Sequence, residues 1–98
     1  FASFFGIVLD KDIKEEKIVL RADRYHQHYL RTLPLHPSQR EIYTSDEYAD
    51  FELHLRPTYD FCMELLKVGA MIEVLEPQSL RHQLHGCIKD MWKIYEND

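Results

Sequence analysis

Between Phe51 and Tyr95 the chain leaves itself almost no loop. Strand, helix, strand and helix follow in immediate succession, and such a segment has few ways to fold other than as one packed α+β unit. In the first piece Phe51, Leu53 and Leu55 alternate with Glu52, His54 and Arg56. That is the period-two pattern of a strand with one buried face and one face free to meet water or a partner. Pro57 stops the strand, Thr58 is a natural N-cap and Asp60 suits the positive end of a helix. Phe61, Leu65 and Val68 then recur at helical spacing until Gly69 closes the turn. Met71–Leu75 is the next strand, with Ile72 and Val74 inward, and Glu76-Pro77 breaks it. A last helix begins near Ser79 and runs to about Tyr95, its Leu80, Leu84, Cys87, Ile88, Met91 and Tyr95 forming one amphipathic stripe. Trp92 and Ile94 lie beside or away from that stripe. Trp92 either widens the core face or packs on another domain or subunit.

Upstream the same vocabulary continues. Phe1–Leu9 reads as a strand or extended connector, followed by a polar turn from Asp10 to Glu16. Lys17–Arg21 is short and β-branched, a strand with Ile18 and Leu20 on one face and Val19 on the other. Asp23 can cap a helix whose apolar positions are Tyr25, Tyr29 and Leu33, ended by Pro34 and Pro37. Arg40–Thr44 and Ala49–Leu55 form a hairpin across the polar turn Ser45-Asp46-Glu47. The order is therefore β-α-β-β-α-β with an added C-terminal helix, the ferredoxin-like split-βαβ arrangement: a four-stranded antiparallel sheet with both internal helices on one face. The opposite sheet face would carry Val19, Arg21, Glu52, His54, Arg56, Met71, Glu73 and Leu75. This mixture is too apolar for water alone and too charged for a core. The last helix, a neighbouring domain or a second subunit is expected to cover part of it, which makes His54, Met71, Leu75, Trp92 and Ile94 the interface candidates.

Ninety-eight residues give room for one core, which a deep catalytic cavity would compete with. Three glycines and four prolines argue against disorder. The net charge of −5 conceals an asymmetry, because Arg21, Arg24, Arg31 and Arg40 face only Asp23 within residues 21–40. The local excess of +3 leaves −8 elsewhere, which argues against uniform nucleic-acid binding. The basic segment, which also holds His26, His28 and His36, is either a solvated face or the rim of an anion site. Arg56 on the open sheet face could serve the same end. Cys62 and Cys87 fall inside helices among apolar neighbours and read as small hydrophobes rather than a disulfide. With no long apolar run and no signal-peptide pattern, the sequence reads as a cytoplasmic protein without membrane association. Its opening at Phe1, apolar from the start, reads as a piece of a longer chain.

Four kinds of catalytic pattern bear on the chain, and none is complete. His26 with His28, and His82 with His85 near Cys87, are pairs, whereas a zinc site needs three or four ligands in a recognised spacing. The serines and cysteines show no nucleophile elbow or oxyanion glycine. Gly6, Gly69 and Gly86 are too far apart to form a phosphate loop. The acidic pairs Asp46-Glu47 and Glu73 with Glu76 are ordinary in a chain with 17 acids. No catalytic residue, metal or cofactor is assigned.

The run PTYDFCMELLKVGAMIEVLEPQSLRHQL, closed by an amphipathic helix to Tyr95, resembles the C-terminal extension that follows the WYL domain in bacterial transcriptional regulators. There a P-x-x-D-F, L-L-x-x-G, V-E-V-L-x-P-x-x-L-R order recurs. Upstream, Gly6-Ile7 resembles the family's connector, and Pro34-Leu35-His36-Pro37-Ser38-Gln39 its P-L-H-x-S-Q segment. The resemblance covers essentially the whole chain. It implies a ferredoxin-like domain, residues 16–98, preceded over 1–15 by the connector from a WYL domain of Sm-like fold. It also implies a DNA-binding helix-turn-helix farther upstream. The Trp-Tyr-Leu tripeptide itself does not occur here, since the single Trp reads Trp92-Lys93-Ile94, so no ligand contact of the WYL barrel carries over.

The expectation is a non-catalytic regulatory domain that senses an effector, in some members a nucleotide or nucleic acid, and joins two protomers in a homodimer. Arg21, Arg24, Arg31, Arg40 and Arg56 are the anion-binding candidates. The alternative is a stand-alone ferredoxin-like module that senses a small molecule.

Overall fold

The computed structural model describes residues 13–96. The connector read over Phe1–Leu9 lies outside the described residues. Within them the elements are β1 (Glu16–Asp23), α1 (His26–Thr32), β2 (Arg40–Thr44), β3 (Tyr48–Leu55), α2 (Tyr59–Val68), a 3-10 turn (Gly69–Met71), β4 (Ile72–Glu76) and α3 (Gln78–Tyr95). All strands pair antiparallel in the spatial order β2-β3-β1-β4. This is the strand order of the split-βαβ arrangement, in which β1 sits inside the sheet between two strands that come later in sequence.

The period-two pattern decides which face is covered. Ile18, Leu20 and Ala22 of β1, Ala49, Phe51, Leu53 and Leu55 of β3, and Val74 of β4 all turn inward. They meet Leu30 of α1, Phe61, Cys62 and Leu65 of α2, and Leu80 and Leu84 of α3 in one buried cluster. Burial of each large aliphatic or aromatic member contributes roughly 1.5–3 kcal/mol. Both internal helices and the start of α3 therefore share one side of the sheet.

Local chemistry closes the elements where the sequence places the signals. In the β2–β3 hairpin the Ser45 hydroxyl accepts from the backbone N–H of Tyr48 at 3.1 Å, while Ser45 N–H donates to Tyr48 O at 2.9 Å. Thr58 Oγ1 accepts from Phe61 N–H at 3.4 Å to cap α2. Gly69, at φ +78°, ends α2 with its N–H on Leu65 O. α3 begins at Gln78, after a cis Glu76-Pro77 bond.

α1 departs from its expected face. Tyr25, Tyr29 and Leu33 are all more than half exposed, and the core-facing residues are His26, Gln27 and Leu30. Asp23 Oδ1 accepts from the N–H groups of both Tyr25 and His26 at 3.0 and 2.7 Å, which starts the helix at His26. With only seven residues, one apolar contact from Leu30 is enough to seat it. α3 departs differently: its stripe is real, but burial stops at Leu84.

Candidate interaction surfaces

Alternation along β1, β3 and β4 turns Lys17, Val19, Arg21, Glu52, His54 and Glu73 to the face opposite the core. There the charges are matched strand by strand. Arg21 lies opposite Asp50 in the ladder and grips it with Nε to Oδ1 at 2.9 Å and Nη2 to Oδ2 at 3.1 Å. The same guanidinium sits 3.9 Å above the Tyr48 ring centroid, a cation–π contact. Its hydrogen bond to Asp50 raises the Arg21 pKa above its already high ordinary value. Arg40 Nε reaches Glu52 Oε1 at 2.8 Å, and that hydrogen bond holds the Glu52 carboxyl below the usual range. His54 Nε2 is 3.9 Å from the second oxygen of Glu52.

Arg31 lies elsewhere, joining α1 to β2. Its Nε and Nη2 donate to Glu41 Oε1 and Oε2 at 2.8 and 2.6 Å, and Nη2 also donates to Gln27 Oε1 at 2.7 Å. Thr44 Oγ1 donates to the same carboxylate. The Arg31 hydrogen bonds, more than the Thr44 one, lower the Glu41 pKa to about 2.

The five candidate arginines are thus not gathered into one rim. Arg21, Arg31 and Arg40 are each spent on a carboxylate. Among the described residues Arg24 and Arg56 have no such partner. Arg56 borders a groove of about 650 Å³ that also takes in His36, but Glu15, Asp60 and Glu64 line the same groove and make its field net negative.

Two polar residues escaped sequence reasoning. The Ser38 hydroxyl donates to His54 O at 3.0 Å and accepts from His54 N–H at 2.8 Å, extending the edge of β3 beyond β2. His36 Nδ1 lies 2.8 Å from the same hydroxyl, yet the backbone of His54 already uses it, so this Ser–His pair fastens a loop rather than activating a nucleophile. Gln39 does likewise, accepting from Leu35 N–H and donating to Leu30 O. Their signal was the P-L-H-P-S-Q segment, whose polar residues had no helix or strand of their own to serve. Of the histidine pairs, His26 is buried and His28 lies 3.2 Å from Arg31, and no group of three possible metal ligands occurs among the described residues.

The interface candidates lie mainly at the other end of the molecule. His54 is exposed on the charged face, Met71 is exposed at the end of the 3-10 turn, and Leu75 is half-buried in β4. Trp92 and Ile94 project from α3, at 63% and 68% exposure. With them stand Ile88, Met91 and Tyr95, each about half exposed or more. Beside this stripe an apolar groove of about 630 Å³ runs between the end of α2 and α3, lined by Leu65, Leu66, Ala70, Ile72, Ile88 and Met91 among others. Arg81 Nη1 fixes the helix against β4, donating to Glu73 Oε2 at 2.7 Å and Val74 O at 2.8 Å.

No helix among the described residues is long and apolar enough to cross a membrane. No curated protein sequence matches the chain. The family model of the WCX domain matches residues 14–92, from just before β1 into the last turns of α3. WCX is the C-terminal domain of WYL-type regulators, a non-catalytic setting. The chain belongs to the WCX-domain family and is a WYL-associated regulatory domain.

Proposed function

We propose that the chain acts by contact rather than by chemistry: it joins protomers of a WYL-type transcriptional regulator in a homodimer and takes part in sensing the effector. The observation that supports this most is the division of its surface. The charged groups of the open sheet face are largely paired within the chain, whereas the second half of α3 leaves Ile88, Met91, Trp92, Ile94 and Tyr95 in water. A contiguous apolar patch of that kind marks a contact site. DNA binding belongs to a helix-turn-helix domain upstream, and a WYL domain stands between, joined through residues 1–15. An anionic effector, a nucleotide or a short nucleic acid, would be met by a guanidinium without a carboxylate partner; of the two described, Arg24 and Arg56, Arg24 is the one that lies outside the acidic groove.

The test is sedimentation of the 98-residue chain over a range of concentrations, with thermal melting in the presence of a nucleotide and of a short oligonucleotide. Association that strengthens with concentration, or a melting shift lost in Arg24→Ala and retained in Arg40→Ala, supports the reading. A strict monomer whose melting neither probe moves removes it.

A further inference from the structure

α3 is longer than its support. Of its 18 residues, Leu80 and Leu84 are buried, and the eleven that follow Leu84 contribute none. A helical stretch of about that length is marginal in water without packing.

The composition of this overhang is specific. At about 100° per residue, Cys87, Ile88, Met91 and Tyr95 continue the azimuth of Leu80 and Leu84, with Trp92 and Ile94 on its two flanks. Lys89, Asp90, Lys93 and Glu96 fall on the other side of the helix and balance in charge. On their exposures the five residues from Ile88 to Tyr95 present on the order of 600 Å² in all, most of it apolar. A stable dimer buries roughly 800 Å² per partner. The groove walls Leu66, Ala70 and Ile72 adjoin the patch and enlarge it toward that size.

We propose that this patch is the seat of a second copy of the chain, the two α3 helices crossing antiparallel about a two-fold axis with Trp92 of each copy entering the α2–α3 groove of the other. A two-fold contact requires one patch to hold both the projection and the recess. This patch does: Trp92 is not itself a groove-lining residue, and the groove is open beside it. A pairing with balanced, outward-turned charges meets no repulsion between identical surfaces, and antiparallel helix dipoles favour it. The proposal rests on the assembly role proposed above and names the surface that carries it.

Trp92 is the single tryptophan of the chain, so its emission reads this contact directly. On dilution from roughly 50 to roughly 0.05 µM, a range that brackets a micromolar dimer, sedimentation is expected to move from dimer to monomer. Trp92 emission should shift to the red in step. Ile88→Glu and Trp92→Ala should each weaken the dimer at least tenfold while leaving circular dichroism and melting of the monomer unchanged, because both residues are already exposed. A dimer that both variants leave intact, but that His54→Glu on the sheet face breaks, overturns the α3 contact and leaves the assembly role standing. A monomer at every concentration overturns both.

Discussion

Arg21 and Asp50 stand opposite each other in the β1–β3 ladder and are joined by two parallel hydrogen bonds of 2.9 and 3.1 Å. The geometry is the planar fork of a guanidinium on a carboxylate, and Tyr48 closes it from above. One consequence is for binding, because a guanidinium held at both ends has little left for an anion. The other is for stability.

Asp50 is nearly buried, whereas the Arg40 side chain, paired with Glu52 on the same face, is about three-quarters exposed. Asp50→Ala leaves the Arg21 guanidinium over Tyr48 without its acceptor, while Arg40→Ala removes an ion pair that water already screens. Urea unfolding should show a clear drop in midpoint for Asp50→Ala and a change within error for Arg40→Ala. The reverse order would show that the ladder pair is not the stronger one.

How far the sequence foretold this arrangement depends on what each signal measures. Alternation of Phe51, Leu53 and Leu55 reports a strand and its buried face, because side chains in a strand have only two directions. The partner of Arg21 is a tertiary fact: Asp50 lies 29 positions away, and only the β1–β3 register brings it opposite. The fours-spacing of Tyr25, Tyr29 and Leu33 misled, since a helix of two turns can seat either of two adjoining faces, and Leu30 with the polar His26 and Gln27 won. In α3 the stripe was legible to Tyr95, but periodicity records a face and not what covers it. Burial ends at Leu84, where the core itself ends.

The Arg31–Glu41 pair couples α1 to β2 and should make stability depend on acid. The Glu41 carboxyl is lowered from 4.5 to about 2 by the Arg31 hydrogen bonds. A depressed carboxylate pKa contributes stability that is fully present above the unfolded value and is lost as pH falls through the folded one. The stability difference between the natural chain and Glu41→Gln should therefore be constant above about pH 5.5 and shrink between about 4.5 and about 2. Urea midpoints across this range check it. A difference that persists unchanged at the acid end would mean that the contact acts through packing and not through charge.

The two thiols should separate chemically. Burial pushes Cys62 up to about 12, so that almost none is thiolate near neutrality, while Cys87 is partly exposed on α3. Since the thiolate is the reacting form, an aromatic disulfide reagent at about pH 8 should titrate one thiol quickly in the folded chain and the second only on unfolding. Cys87→Ser should abolish the fast phase and Cys62→Ser should leave it. Fast reaction of both thiols would place Cys62 in a more open site than α2 gives it.

Gly69 and Gly86 should respond to alanine with opposite signs. Neither would bring an added Cβ within 4 Å of another group, so space does not distinguish them. Backbone conformation does. Gly69 ends α2 at φ +78° and ψ −134°, a region that L side chains rarely enter, and forcing alanine there costs about 1–3 kcal/mol. Gly86 lies in the middle of α3, two residues past Leu84 and so on the far side of the helix from the core. There alanine is expected to stabilise by about 0.5–1 kcal/mol, chiefly by reducing the freedom of the unfolded chain. The same substitution should leave self-association through Trp92 unchanged, because it lies away from the apolar stripe. Denaturant midpoints that fall for Gly69→Ala and rise for Gly86→Ala are the expected result. A fall for both would mean that something approaches Gly86 closely in solution, which would place a contact on the polar side of α3.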